Sequence, residues 1–196
     1  MSKIKKLISE TIAASIATKQ SLLESSRLVS QIETFADTLV QCFKNDGKVF
    51  FCGNGGSAAD AQHISAELTG RFYLDRKPLY SEAFHVNSSY MTAVANDYGY
   101  DKVYSRMAEA CCRKGDVLVG ISTSGNSQNV LNAFKAANQK GMLTIGLLGK
   151  GGGKATNLVK QAIIVPSKST ARVQEMHILI GHILCDLIEE GLELKM

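Results

Sequence analysis

The chain has 196 residues, 45% of them hydrophobic, and carries 22 Lys and Arg against 18 Asp and Glu for a net charge of +4. That is apolar matter enough for one sizeable core, so a single domain over residues 1–196 is expected. The charge is too small and scattered for a nucleic-acid surface but suits an anionic small molecule, and no run reaches the roughly 18 apolar residues of a membrane-spanning helix.

Residues 2–45 place Ile4, Leu7, Ile8, Ile12 and Ile16, then Leu28, Ile32, Phe35 and Leu39, at roughly helical spacing with no proline or glycine before residue 45. Two amphipathic helices are predicted there. The opening lysines imitate a signal peptide, but Glu10 and several hydroxyl residues interrupt any apolar h-region, so secretion is rejected and a cytoplasmic location expected. The cysteines (Cys42, Cys52, Cys111, Cys112, Cys185) are odd in number and lack metal-type spacing, which fits reduced intracellular thiols.

Three similar units follow: KVFFC into GNGGSAADAQ, DVLVGI into STSGNSQNV, and MLTIGLL into GKGGGKATN. Each is an apolar run, a loop of small polar residues, then a helical pattern. SEAFHV at 81–86 is a weaker strand candidate, and QAIIVP a further strand stopped by Pro166. Strands without polar alternation are covered on both faces, which predicts an α/β doubly wound parallel sheet. From Ala171 the pattern ARVQEMHILIGHILCDLIEEGLELKM predicts one long helix, buried along more than one face.

Ligands of such sheets bind where strands end and helices begin. Ser122, Thr123, Ser124 and Ser127 put four hydroxyls around Gly125, a donor-rich loop for a phosphate, although single Ser and Thr residues commonly serve as helix caps. Gly53–Ala58 matches the dinucleotide pattern GxGxxA, but the acidic residue at the right distance, Asp75, sits in a loop-like stretch. GKGGGK lacks the GK[ST] ending of a P-loop. His63 and Glu67, four apart, share a helix face and could chelate a divalent metal or simply hydrogen-bond. His182 interrupts an apolar helix, where an imidazole needs a partner or a ligand; His85 and His177 are read as structural.

CGNGGSAADAQHISAELTGRF, VANDYGYDKVYSR, GDVLVGISTSGNSQNVLNA and RVQEMHILIGHILCDLIE together resemble the phosphoheptose isomerases, the sedoheptulose 7-phosphate isomerases of the sugar-isomerase (SIS) fold. The resemblance spans nearly the whole chain. It implies a flavodoxin-like five-stranded parallel sheet, with the two leading helices packing on the sheet and on partner subunits of a homotetramer with shared active sites. It implies conversion of sedoheptulose 7-phosphate to D-glycero-D-manno-heptose 7-phosphate, the first step toward nucleotide-activated heptose for lipopolysaccharide or surface glycan. It also implies one Zn2+ per subunit held by His63, Glu67, Gln174 and His182. Substrate contacts are implied at Asn54, Gly55, Gly56, Ser57, Glu67, Asn96, Asp97, Ser122, Thr123, Ser124, Ser127 and Gln174. Some members carry an Asp where this chain has Ala171, so no role for that carboxylate is open here.

The chemistry expected is proton transfer through an enediol(ate), with Glu67 moving the carbon-bound proton and His182 the oxygen-bound one. The alternative is a non-catalytic SIS relative that binds the bacterial replication initiator; it lacks the Glu and the His at positions 67 and 182. One difficulty is geometric. On a single helix Gln174 and His182 lie about 12 Å apart along the axis and about 80° apart around it, too far to meet easily at one metal.

Overall fold

The computed structural model describes residues 2–192; the end of the long C-terminal pattern, residues 193–196, lies outside them. Two helices lead the chain, α1 (Lys3–Leu23) and α2 (Ser26–Lys44), each with a serine at its start: Ser2 Oγ accepts from Lys5 N–H and Ser25 Oγ from Leu28 N–H, both at 3.3 Å. Then follow β1 (Val49–Gly53), α3 (Gly56–Thr69), β2 (Ser81–Ala83), α4 (Ser88–Tyr98) and α5 (Val103–Cys111). The chain continues through β3 (Val117–Ser122), α6 (Gln128–Gln139), β4 (Leu143–Leu148), β5 (Gln161–Ile164) and α7 (Thr170–Gly191).

All strand pairings are parallel and the order is β2-β1-β3-β4-β5, as the flavodoxin-like expectation requires. Every residue of β1 and β3 is buried, because the pleat feeds two cores at once. Val49, Phe51, Val119, Ile121 and Leu147 point to one side, against α2, α3 and α7. Phe50, Cys52, Leu118 and Leu148 point to the other, with Val103, Tyr104, Val130 and Phe134 from α5 and α6.

Two details depart from the sequence-based expectations. After β4 the glycine-rich stretch makes only a 3₁₀ turn over Gly153–Asn157 rather than a helix. Helices α4 and α5 occupy a region to which periodicity assigned nothing, since α4 buries only Val94 and so carries no apolar stripe to read.

Helices α3 and α7 run side by side in the same direction. A Cβ at Gly56 would lie 2.4 Å from Gln174 Nε2, and one at Gly181 would lie 2.4 Å from Ile64 Cδ1. Further along, Phe72 N–H donates to Glu189. Glycine at 181 is what lets the two helices approach this closely. On its other side α7 meets α1: Ser15 Oγ donates to Glu175 Oε2 at 2.7 Å, and Arg172 Nη1 donates to the Thr11 carbonyl at 2.7 Å.

Candidate active site

The sheet order reverses between β1 and β3, and the loops leaving these two strands form the crevice where such sheets bind ligands. The first is the glycine loop. Gly55 has φ +56°, and α3 starts on Gly56 with no side chain capping it; Ser57 N–H turns back to the Asn54 carbonyl at 3.1 Å and Ala58 N–H to the Gly55 carbonyl at 3.0 Å, which makes the loop a tight backbone turn at the helix start. Asn54 at its centre is tied to the second loop: its Nδ2 donates to Asn129 Oδ1 at 2.8 Å, and Asn129 Nδ2 donates back to Asn54 Oδ1 at 2.9 Å. Ser57 is buried just behind.

The second loop is Ser122–Ser127. Ser127 stands at the N-cap of α6, yet its hydroxyl makes no cap hydrogen bond; it faces Ser122 Oγ at 3.3 Å instead. Val130 N–H is taken by Asn129 Oδ1 at 2.9 Å, so the first-turn donors that the hydroxyls leave for an anion are those of Gln128 and Asn129. Ser122 Oγ also accepts from Gly125 N–H, and Ser124 Oγ from Asn126 N–H. The loop is braced from below by the GKGGGK stretch. A Cβ on Gly125 would stand 1.8 Å from the Gly152 carbonyl oxygen, and the backbone there has φ +63°. The glycine-rich motif that is no P-loop therefore lets one loop's backbone rest on another's. Ala155 N–H donates to the Gly125 carbonyl, and Lys154 N–H to Asn126 Oδ1.

Asn96 and Asp97 lie exposed near the end of α4, where Asn96 Nδ2 donates to Asp97 Oδ1 at 2.8 Å. Their segment reaches the crevice through Tyr100, whose hydroxyl donates to Asn54 Oδ1 at 3.0 Å.

The titratable groups gather between α3 and α7. His63 Nε2 and Glu67 Oε1 are 3.1 Å apart, and the rings of His63 and His182 meet edge to face with centroids 5.1 Å apart. His182 is half-buried rather than enclosed, its other face stacked on Phe72 at 5.7 Å. The enclosed histidine is His177, wholly buried, with Nε2–H donating to the Leu148 carbonyl at 3.2 Å. Burial pulls its pKa down to about 4, against a smaller opposite pull from that carbonyl.

Gln174 lies on regular helix, two turns before His182, with its amide against Gly56. The helical geometry assumed for the Gln174–His182 spacing therefore holds within one chain. Among the described residues no three or more His, Cys, Asp or Glu are grouped closely enough to hold a metal ion. What is preformed is the His63–Glu67 contact with His182 beside it, two imidazoles and a carboxylate whose chemistry suits zinc.

Sequence reasoning missed the buried pair that frames these groups. Glu189 accepts from the backbone N–H groups of Phe72, Tyr73 and Leu74 and from Arg76 Nε at 2.8 Å. Burial alone would raise its pKa, but the hydrogen bonds from Leu74, Arg76, Tyr73 and Phe72 hold it below the usual carboxylate range. Arg76 also donates to the carbonyls of Leu68 and Glu67. One pair thus closes the end of α3 and holds Phe72 against His182. Asn129, Tyr100 and Tyr104 were missed as well; a buried Asn in a helix's first turn was the one visible signal, and it reads equally as a cap.

Comparison with known proteins decides the family. The SIS domain family matches residues 10–149. A phosphoheptose isomerase of Sulfurimonas denitrificans is 49% identical over 187 residues, 95% of this chain and 96% of its own. The structure of phosphoheptose isomerase from Neisseria gonorrhoeae superposes with a TM-score of 0.90 at 44% identity, covering 96% of this chain and all of that one. This chain belongs to the phosphoheptose isomerases. A solved family member from Francisella tularensis, 34% identical, gives the same TM-score over 97% of this chain and 100% of its own.

As a phosphoheptose isomerase the protein is an enzyme, and the replication-initiator reading finds no support. The dinucleotide reading fails on structure too, since Asp75 is exposed in the irregular segment between α3 and β2, not at a strand end. No helix among the described residues is long and apolar enough to cross a membrane.

Proposed function

We propose that the protein interconverts sedoheptulose 7-phosphate and D-glycero-D-manno-heptose 7-phosphate in the cytoplasm, as the first step toward activated heptose. The observation that carries this is the junction at one crevice of the donor-rich Ser/Thr loop and the glycine loop with a carboxylate and two imidazoles on the adjoining helix pair. The phosphate is held by Ser122, Thr123, Ser124 and Ser127 and the first turn of α6. Asn54, Gly55, Gly56, Ser57, Asn96, Asp97 and Gln174 hold the sugar chain. Remote binding of the phosphate fixes the reacting carbons.

Glu67 removes the proton from C1 of the ketose and returns it to C2, while His182 carries the proton between the two oxygens of the enediol(ate). His63, in contact with both, orients them. A zinc ion held by His63, Glu67, His182 and Gln174 supplies Lewis-acid polarisation of the carbonyl when bound. Gln174 stands about 12 Å along α7 from His182, so this set closes best with Gln174 drawn from another copy. That placement supports a homotetramer with shared sites, as does the apolar stripe of α1: Ile4, Leu7, Ile8, Ile12 and Ile16 are all more than half exposed in the single chain.

The test is incubation of purified protein with sedoheptulose 7-phosphate, before and after exhaustive chelation, following aldoheptose phosphate. Turnover that falls on chelation and returns with zinc supports the reading. No turnover in either state overturns the substrate, and full turnover after elemental analysis shows no metal overturns the zinc. Mixing Glu67→Gln with Gln174→Ala subunits then tests sharing: restored activity supports it, and failure in a verified mixed oligomer places all four ligands in one chain.

A further inference from the structure

Three segments assigned to substrate converge on the crevice from separate elements: the glycine loop after β1, the Ser/Thr loop before α6, and the end of α4. One side chain touches anchors from all three. Asn54 and Asn129 form a reciprocal amide pair at 2.8 and 2.9 Å, and Tyr100 adds its hydroxyl to the same Asn54 oxygen at 3.0 Å. Asn129 is 2% exposed and lies two residues past Ser127. Tyr104, one turn beyond Tyr100, donates to the Gly53 carbonyl immediately before Asn54.

A carboxamide has two acceptor positions on oxygen and two N–H donors. In Asn54 both acceptor positions are filled, by Asn129 and Tyr100, with the Tyr104 hydroxyl a more distant third at 3.4 Å, and one N–H is engaged by Asn129. The pairing has one sense only, because Val130 N–H, which can only donate, reaches Asn129 Oδ1 at 2.9 Å and so sets which end of each amide is nitrogen. It leaves a single N–H, and donors on the oxygen of an amide strengthen its remaining N–H as a donor. The buried amide pair also ties the glycine loop to the start of α6, while Tyr100 ties both to the Asn96–Asp97 segment.

We infer that Asn129 and Tyr100 are positioning residues that act through Asn54, setting the three substrate loops in one arrangement and presenting one Asn54 N–H to the sugar phosphate. This rests on the isomerase reading above. Neither residue need touch substrate, and both are remote in sequence from Glu67 and His182. Their removal should therefore weaken substrate binding more than it slows proton transfer.

The test is a double-mutant cycle. Tyr100→Phe removes one hydroxyl from a half-exposed ring and should leave the fold intact; loss of one hydrogen bond predicts a KM for sedoheptulose 7-phosphate raised about 5-fold with kcat within about 2-fold. Asn129→Asp, nearly the same shape but with an oxygen facing the Asn54 oxygen, should raise KM by about 10-fold or more. In an Asn54→Ala background both changes should lose their effect on KM. Full additivity, or a lowered melting temperature with KM unmoved, overturns the inference. A second readout needs no substrate: by NMR, Tyr100→Phe should shift the Asn54 carboxamide protons and speed their exchange with water. Unchanged signals overturn the tie. A wild-type enzyme inert toward sedoheptulose 7-phosphate removes the functional reading, while the NMR result still decides whether Tyr100 holds Asn54.

Discussion

The four histidines were assigned from the sequence by their neighbours alone, and burial divides them differently. His182 looked most unusual because it interrupts an apolar run, yet it lies on the half-buried flank of α7 facing His63 and Phe72. His177, read as ordinary, is the one sealed in the core. Helix periodicity shows that a face is apolar but not which residue sits at its centre. The folded pKa of His177, about 4, lies below its ordinary 6.5. As pH falls the unfolded chain therefore takes up the proton first, so stability present above about 6.5 is lost as pH falls toward 4. About 3 kcal/mol should drain away over that window. Urea melts at pH 7 and 4.5 should show a steeper loss for wild type than for His177→Gln. Glu67, by contrast, was legible from its spacing to His63, and the contact exists. Glu67→Gln should fold normally and lower kcat by about 10²–10⁴, the usual cost of a lost general base; activity within a few-fold of wild type would remove it from the mechanism.

At the scale of elements, the strands could be read because buried parallel strands are unbroken apolar runs, and the loops after β1 and β3 because donors and glycines concentrate there. The contact between α3 and α7 could not be read. Nothing in HISAEL or ILIGHI announces that Ile64 will rest on Gly181, since that depends on the whole sheet being in place. It matters because this contact sets how far His63 stands from His182. Gly181→Ala should cost about 1–3 kcal/mol in denaturant melts through overpacking and should lower turnover as the helices part. Adding Ile64→Ala, which removes both close atoms, Cδ1 at 2.4 Å and Cγ1 at 2.7 Å, should recover turnover even though the shortened side chain keeps stability low; turnover that stays low would show that the spacing is not what the site requires. The Arg76–Glu189 pair was illegible for the same reason, as its partners are 113 residues apart.

At the scale of the whole molecule, the α1 stripe was visible in the sequence, but its destination was not, because periodicity cannot tell a face that meets its own core from one that meets another chain. Only Thr18 and Leu22 of α1 are buried in the single chain. Between α1, α2 and α7 lies an apolar cavity of about 690 Å³, lined by residues such as Ile16, Val29, Ile183 and Leu187. Wild type should sediment as the proposed oligomer, and Ile8→Glu together with Ile12→Glu should convert it to smaller species without changing the far-ultraviolet circular dichroism; a monomeric wild type would overturn the oligomer, and an unchanged sedimentation coefficient in the variant would place the interface elsewhere. The ties between α1 and α7 have a further consequence, in time rather than in space. Ser15 and Glu175 are 160 residues apart, so their contact closes one of the longest loops the chain can make, and such loops close late. Helix α7 carries Gln174, His182 and Glu189, so on refolding from denaturant the sheet should recover its signal first, and competence for catalysis should arrive as a separate, slower phase, when α7 is finally seated between α1 and α3.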